Sequence, residues 1–148
     1  MKKNFIYFFI FLFSTWSCGE SKYENNIPYR EVNFLVYPLT DFNRTLTSPG
    51  GLAVTNSCVH NGGLSCGYEN HGVFVCRMLA SDSYAAYAAT CPLDLTKLQI
   101  VNDAILKVKC SKCNRVFELD NDGLSGNVRL VRYQVQMSVS NQFFIVRN

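Results

Sequence analysis

The 148-residue chain has few residues suited to acid-base catalysis: its only two histidines, His60 and His71, both lie in segments rich in Asn and Gly. Ser81, Asp82 and Ser83 place hydroxyl and carboxyl groups before a strand-like run, but no histidine accompanies them. A nucleophilic hydroxyl needs such a base. The sequence therefore does not predict an enzyme, and each histidine is expected to be a solvated loop residue.

The sequence also lacks a strong excess of one charge and a long apolar run. Lys and Arg number 14 against 11 Asp and Glu, without a basic patch, so no nucleic-acid partner is expected. The apolar run at residues 5–13 has nine residues, too few to span a bilayer. The acidic segment 120–123 lacks the later Glu of a calcium loop, and its Asp-Gly pair favours a hairpin turn.

The N-terminus has the layout of an export signal. Lys2 and Lys3 precede the apolar run, and the small residue Ser17 stands before Cys18. A charged segment, an apolar core of this length and a small residue before the cut are typical of a secretory signal peptide. We therefore expect residues 1–17 to be removed on export.

Cys18 follows the apolar core directly, and polar residues 19–22 follow it. This arrangement resembles a bacterial lipobox, which implies that the Cys18 thiol is acylated and anchors the mature protein in a membrane of the cell envelope. Thr15 and Trp16 depart from the usual lipobox, and without lipidation the chain is an ordinary secreted protein. Gly19 stands where an inner-membrane retention signal carries Asp, so the outer membrane is favoured.

The mature chain has the size of one domain. Removing residues 1–17 leaves 131 residues (148 minus 17) with a net charge of +1 (12 basic minus 11 acidic), an ordinary single-domain length. Residues 18–26 are polar and have no periodicity, as expected of a tether. Residues 27–148 are expected to form the domain.

Strand patterns dominate this domain. Residues 131–139 alternate, with one apolar face formed by Val131, Tyr133, Val135, Met137 and Val139. This period of two is typical of a half-buried antiparallel strand, and a turn at 140–141 leads into a hairpin partner at 142–147. The other predicted strands are 32–37, 52–55, 73–79, 82–90 and 105–109.

The segment 82–90 is ambiguous, because its alanines have high helix propensity. Tyr84 and Tyr87 are too few to define a helical face, and no other stretch holds a long helical period. We therefore predict a strand here and an all-β fold.

Three cysteines have the spacing of a metal site. Cys110 and Cys113 form a C-x-x-C, and Cys91 precedes them by a strand-like stretch and a charged turn, an arrangement in which two loops converge on one metal. C-x-x-C is a half-site for zinc, but the complete pattern needs two such pairs. One ligand is missing, and Asp94, a histidine or water could supply it.

The sequence around these cysteines resembles Rieske domains. Residues 72–75 and 84–92 are similar to the strands that lead into the first ligand loop of that family. Sixteen residues separate Leu93 from Cys110, similar to the gap between the two Rieske boxes, and residues 113–119 resemble the second box. The chain is also similar to small envelope lipoproteins that carry a Rieske-like domain.

This resemblance implies an antiparallel β-sandwich or barrel with a small inserted subdomain at residues 84–123. Two loops of the subdomain, which correspond to the cluster-binding loops of the family, would face each other. The resemblance extends over nearly the whole mature chain.

The ligand pattern departs from that of the family, which supplies two thiolates and two imidazoles to a [2Fe–2S] cluster. Cys91 and Cys110 fall on the two cysteine positions, but Leu93 replaces the first histidine and Cys113 replaces the second. Leucine does not coordinate, and a carboxylate such as Asp94 is a hard ligand poorly suited to iron–sulfur chemistry. The sequence therefore predicts a degenerate Rieske-like site.

Three interpretations of Cys91, Cys110 and Cys113 stay open. The favoured one has no cofactor, with two of the cysteines bridged, because exported cysteines are often oxidised. The second is a mononuclear zinc or iron ion with a fourth ligand such as Asp94. The third is an atypical [2Fe–2S] cluster.

The remaining mature cysteines fit structural roles. Cys58 and Cys66 flank a glycine-rich tip, where a disulfide would close a long hairpin. Cys76 lies within a predicted strand, where a buried thiol behaves as a small apolar residue.

The sequence favours a non-catalytic lipoprotein with a binding or structural role, acting with an unidentified envelope protein. The alternative is an electron-transfer or metal-binding protein, in which a cluster, an ion or the dithiol of Cys110 and Cys113 would carry the function. Fold resemblance alone does not decide between them.

Overall fold

The structure, a computed structural model, describes residues 23, 25–56, 58, 65–140 and 142–148. The described part of the chain has eleven β-strands and no α-helix, so the all-β prediction is confirmed. It contains no helix long and apolar enough to cross a membrane. The predicted signal peptide, the predicted lipidation site Cys18 and the residue His60 lie outside the described residues.

The strands are short and are joined by turns and three-residue to seven-residue 3₁₀ segments. They are β1 (Asn33–Val36), β2 (Leu52–Thr55), β3 (Val73–Arg77), β4 (Tyr84–Ala88), β5 (Leu98–Ile100), β6 (Lys107–Cys110), β7 (Val116–Glu118), β8 (Leu124–Ser125), β9 (Val128–Arg129), β10 (Arg132–Met137) and β11 (Phe144–Arg147).

Six strands form the larger sheet, in the order β1-β11-β10-β4-β3-β2, with every pair antiparallel. β10 joins the two halves of this sheet. Its first residues, Arg132 and Tyr133, pair with β4, whereas its residues from Gln134 to Met137 pair with β11. The predicted C-terminal hairpin is therefore present as β10 and β11.

The other five strands form a smaller antiparallel sheet, in the chain order β5-β6-β7-β8-β9. This sheet is inserted between β4 and β10, two neighbours in the larger sheet. The range 84–123 expected for the inserted subdomain contains β4, which pairs with β3 in the larger sheet, and stops before β8 and β9. The insertion places both cysteine loops at one end of the smaller sheet.

β3 and β4 are buried on both faces, because they separate two apolar clusters. One face contributes to a core between the halves of the larger sheet through Val73, Val75, Ala86 and Ala88. The opposite face contributes to a core beneath the smaller sheet through Phe74, Cys76, Ala85 and Tyr87. Burial of each large apolar side chain stabilises the fold by roughly 1.5 to 3 kcal/mol. This two-sided burial explains why the alanine-rich segment is a strand.

The turn between β7 and β8 depends on glycine. Asp122 and Gly123 both have positive φ, 55° and 69°, as the Asp-Gly prediction required. A Cβ added to Gly123 would lie 3.1 Å from the Tyr87 ring and from Leu130. Tyr87 in turn donates a hydrogen bond from its hydroxyl to the Leu119 carbonyl, at 3.0 Å. The turn is thereby fixed against the centre of the larger sheet.

The predicted alternation of buried and exposed side chains in residues 131–139 is wrong at the C-terminal end of this segment. Tyr133 is buried, but Met137 is 40% exposed and Val139, beyond the strand, is fully exposed. β10 pairs only with β11 past Tyr133, so its last residues extend beyond the core.

The predicted disulfide between Cys58 and Cys66 is present, with a Cα–Cα distance of 5.4 Å. Both cysteines are buried in the core of the larger sheet. The two cysteines are eight positions apart in the sequence. The bond thus links two points of the connection between β2 and β3.

Candidate metal centre

Cys91, Asp94, Cys110 and Cys113 converge at one end of the smaller sheet. Their four potential ligand atoms, three Sγ atoms and one carboxylate oxygen, all lie within 4.8 Å of one another. Cys91 and Cys110 are fully buried, whereas Cys113 and Asp94 are partly exposed. The two-loop convergence expected from the sequence is therefore found, together with a carboxylate oxygen that could serve as a fourth ligand.

The first loop, residues 91–96, is a tight turn between β4 and β5. The backbone N–H of Cys91 donates to the Thr96 carbonyl at 2.8 Å, and the N–H of Leu95 donates to the Cys91 carbonyl at 3.0 Å. Leu95 has a φ of 59°, which turns the chain back toward β5. The backbone N–H groups of Leu93 and Asp94 lie close enough to Cys91 Sγ to act against the rise in the pKa of its thiol.

The second loop, residues 110–115, is the turn between β6 and β7. The Cys110 N–H donates to the Arg115 carbonyl at 2.9 Å, and Asn114 takes a φ of 59°. The N–H groups of Lys112 and Cys113 donate to Cys110 Sγ, the latter at 3.5 Å. In both loops, therefore, backbone N–H groups of the following residues lie close to the sulfur of the first cysteine.

The two loops have the same ligand spacing. Asp94 is the third residue after Cys91, and Cys113 is the third residue after Cys110. Fifteen residues separate Asp94 from Cys110, so the pattern is C-x₂-D-x₁₅-C-x₂-C. Zinc sites commonly have the pattern C-x₂-C-x₁₅₋₂₀-C-x₂-C. This chain matches it with one cysteine replaced by aspartate.

From the sequence alone, Asp94 is only one of several possible fourth ligands. The C-x-H pattern of the resemblance places the missing ligand at Leu93, two residues after Cys91. The structure packs Leu93 against the apolar cluster beneath the smaller sheet. Comparison of the first loop with the C-x-x-C of the second would have singled out Asp94.

Asp94 is held as a carboxylate. Its Oδ1 accepts hydrogen bonds from the Thr96 backbone N–H at 3.1 Å and from the Thr96 hydroxyl. Burial opposes ionisation, but these hydrogen bonds, with weaker ones from Cys110 and Cys91, lower the pKa of Asp94 to about 2. A negative oxygen therefore faces the three sulfurs at neutral pH.

The thiols of Cys91 and Cys113 resist ionisation in the metal-free protein. Burial raises the pKa of Cys91 to about 12, although the backbone N–H groups of the first loop lower it in part. Burial also raises the pKa of Cys113, and the neighbouring Cys110 adds to this effect. Several anions this close repel one another, so a bound cation is needed for both sulfurs to be thiolates at the same time.

Cys110 differs from the other two. Burial opposes its ionisation, but the N–H groups of Lys112 and Cys113 and the Thr96 hydroxyl lower the pKa of its thiol. Thr96 Oγ1 lies 3.2 Å from Cys110 Sγ. Cys110 is therefore the sulfur that is best prepared to bind a metal ion as a thiolate.

Two of the ligand separations match those of a tetrahedron around one ion. With zinc–sulfur bonds of about 2.3 Å, two thiolates on one zinc lie about 3.8 Å apart, and a thiolate and a carboxylate oxygen about 3.5 Å apart. Cys91 Sγ and Cys113 Sγ are 3.8 Å apart. Cys110 Sγ lies 3.3 and 3.5 Å from the two oxygens of Asp94. These separations need little change to accommodate the ion.

His71 does not belong to this group and is not the solvated loop residue that the sequence suggested. Its side chain is only 17% exposed, and its Nδ1 lies 3.1 Å from Thr90 Oγ1. Its Nε2 lies 3.5 Å from the carboxylate of Glu69. The ring is thus held beside the β4 end by two polar neighbours.

Cys76 is a free, buried thiol, as predicted. Its Sγ donates to the Ala85 carbonyl at 3.6 Å, and burial raises the pKa of this thiol to about 12. It lies on β3, away from the metal-binding group, and packs as an apolar residue.

The end of the expected tether contacts the domain. The N–H of Asn26 donates to the Pro92 carbonyl in the first cysteine loop, at 3.1 Å. The guanidinium of Arg129 lies 4.1 Å from the centre of the Tyr23 ring. The first of these contacts brings Asn26 beside the first loop of the candidate metal centre.

Comparison of the chain with protein-family models, curated proteins and solved structures found no match. The Rieske-like assignment therefore stays a prediction from the sequence. The chemistry of the four converging side chains is the basis for the functional proposal.

Proposed function

We propose that this protein is a non-catalytic, metal-binding lipoprotein of the bacterial cell envelope, in which Cys91, Asp94, Cys110 and Cys113 hold one zinc ion. In this proposal the ion has a structural role, and the domain is a degenerate relative of the Rieske domain. The observation that carries the proposal is the convergence of four ligand atoms from two loops of equal spacing.

The ligand geometry favours one ion over an iron–sulfur cluster. A [2Fe–2S] cluster has two irons joined by sulfides, and each iron has its own pair of protein ligands. The two pairs are then separated by the width of the cluster. Here all four ligand atoms lie within 4.8 Å of one another, which suits a single tetrahedral ion.

The ligand types favour zinc. Thiolates are soft ligands that bind zinc well, and zinc sites also accept a carboxylate. Four protein ligands leave no open position for water or substrate, as in structural rather than catalytic zinc sites. The role we propose is therefore to join the two loops and to stabilise the smaller sheet.

The sequence of residues 1–22 supports the proposed location. Its charged segment, short apolar core and Cys18 favour export and lipid anchoring in the outer membrane. Asn26 and Tyr23 contact the domain, so the metal centre would lie near the anchored end. A protein partner in the envelope would account for the binding role.

The test is elemental analysis of the untagged protein, purified without added chelator, with thiol counting and a visible spectrum of the same sample. We expect one zinc per chain and no colour. Cobalt(II) in place of zinc should give the visible bands of a tetrahedral thiolate site. About two irons per chain with a red-brown colour would replace this proposal by an electron carrier, and a reduced protein that takes up no zinc or cobalt would refute it.

A further inference from the structure

We infer that Cys91 and Cys113 form a reversible disulfide by exchange with an organic disulfide, and that this bond expels the metal ion. The inference rests on the proposed metal centre for the release step alone. The exchange itself depends only on the positions of the two cysteines in the chain.

The geometry selects Cys91 and Cys113 as the pair. Their Sγ atoms are 3.8 Å apart, with one sulfur in each of the two loops. A disulfide bond requires about 2.05 Å, so rotation of the side chains and a small approach of the loops would close the gap.

Cys110 is the sulfur least free to join this pair. Its Sγ lies 3.2 Å from Thr96 Oγ1 and 3.3 Å from an oxygen of Asp94, and the Cys113 N–H also donates to it. These contacts hold Cys110 in the second loop. The sequence suggested Cys110 and Cys113 as the redox-active dithiol. The structure favours Cys91 and Cys113 instead, a pair that joins the two loops.

Exposure sets the order of events. Cys91 is fully buried, whereas Cys113 is partly exposed. An external disulfide therefore reaches Cys113 first. Cys91, directly behind it, is placed to resolve the mixed disulfide.

The exchange is balanced in two steps. The Cys113 thiolate attacks one sulfur of the organic disulfide, which forms a mixed disulfide and releases one thiolate of the oxidant. The Cys91 thiolate then attacks the Cys113 sulfur, which forms the bond between the two cysteines and releases the second thiolate. The two cysteine sulfurs lose two electrons, and the organic disulfide gains them. In the metal-free protein, where both cysteines begin as thiols, their two protons end on the two released thiols.

The new bond removes two of the four ligands. Cys110 and Asp94 then remain, which is half of a tetrahedral set. The ion should leave as the bond forms, one zinc per disulfide. An external thiol would reverse the reaction and restore the site.

Trypsin provides a sharp test, because it cuts after Lys109, Lys112 and Arg115. Cys110 and Cys113 therefore fall in separate short peptides, and Cys91 falls in a third peptide, residues 78–97. Zinc-loaded and metal-free protein would be treated with oxidised glutathione, alkylated and digested without reduction. A chromogenic chelator would follow zinc in parallel.

We expect a peptide pair that joins Cys91 to Cys113 in both samples, with one zinc released per pair. Cys110→Ser should still form this pair. In the Cys91→Ser variant the reaction should stop at the mixed disulfide between glutathione and Cys113. The matched variant Cys76→Ala should react like the parent. A main product that joins Cys110 to either partner would overturn the inference.

The two proposals fail in different ways. Zinc uptake by the reduced protein without the Cys91–Cys113 pair after oxidation would refute the exchange and leave the metal centre intact. Formation of the pair in a protein that never binds zinc would refute the metal centre and leave the exchange. Formation of the pair with zinc retained would overturn the release step.

Discussion

Asp94 and Cys113 occupy equivalent positions in two matching loops. Each is the third residue after a buried cysteine, and in each loop the N–H groups of this third residue and of the residue before it favour the ionised form of that cysteine's thiol. The arrangement is therefore similar to the pattern of a four-cysteine zinc site, with a carboxylate in place of one thiolate. This equivalence is the basis for the first prediction.

Asp94→Cys should complete the four-thiolate set and tighten zinc binding, because a soft thiolate replaces a hard oxygen at the same position. Asp94→Asn should weaken binding by roughly 10-fold to 100-fold, since it removes one negative ligand, by analogy with the effect of altered metal surroundings. Competition titrations with a chromogenic chelator would measure both. Asp103→Asn, in the exposed turn at the far end of the smaller sheet, is the matched control and should bind like the parent.

The position of Asp94 shows which features of the site could be predicted from the sequence and which could not. The cysteine spacing was sufficient to predict two loops that converge on one site. It was not sufficient to choose the fourth ligand, because the comparison with C-x-H drew attention to Leu93. The structure shows that Leu93 packs against the core, while the tight turn closed by Leu95 places Asp94 against the sulfurs.

The fold was predictable where local pattern and tertiary burial agree. Residues 52–55 were predicted as a strand with the bounds that β2 has. Helix propensity opposed the correct assignment of β4, where two-sided burial decides the structure. Strand order across the larger sheet depends on pairing of distant segments such as β1 with β11, which no local pattern specifies.

Removal of the metal should loosen the smaller sheet. If free zinc exceeds the dissociation constant about 1,000-fold, binding stabilises the protein by about 4 kcal/mol, which corresponds to a melting temperature higher by roughly 10 °C or more. We expect a chelator to lower the melting temperature by this amount, and added zinc to restore it. An unchanged melting temperature in the zinc-loaded protein after complete chelation would contradict a structural role.

The disulfide between Cys58 and Cys66 should stabilise the fold independently of the metal. Cys58→Ala with Cys66→Ala should cost about 2 to 3 kcal/mol, because the unfolded chain regains the freedom of the closed loop. Alanine avoids placing hydroxyl groups in the core, where both cysteines are buried. Urea unfolding would measure the loss.

Zinc uptake provides the control for this variant, because the disulfide lies in the core of the larger sheet rather than at the metal centre. The double variant should still bind one zinc. Equal stability of parent and double variant, with the disulfide verified in the parent by peptide mapping, would show that the loop constraint contributes nothing.

Asp94 should give the metal-free protein a specific acid sensitivity. Its pKa is lowered from 3.8 to about 2 in the folded state, so its carboxylate stabilises the fold above the unfolded value. That contribution is lost as the pH falls through the window from about 4 to about 2. The difference in urea midpoint between the parent and Asp94→Asn should therefore shrink across this window.

The comparison needs chelated protein, because protons also compete with zinc for the sulfurs. Asp103→Asn again serves as the control and should show no such trend relative to the parent. A parent-to-Asp94→Asn difference that stays constant from pH 5 to pH 2 would show that the Thr96 hydrogen bonds do not hold the carboxylate ionised.

Anchoring is tested at Cys18. If the thiol is acylated, Cys18→Ser should move the protein from the membrane fraction to a soluble or unprocessed form, because serine has no thiol to carry the acyl anchor. Ser17→Ala, which keeps a small residue before the cut, is the matched control and should remain in the membrane fraction. Labelling with a clickable fatty acid would give a direct readout, with label on the parent and on Ser17→Ala but not on Cys18→Ser. Membrane retention of Cys18→Ser at its mature size, without label on the parent, would sink the lipoprotein proposal while leaving the metal centre untouched, since the four ligands lie more than seventy residues further along the chain.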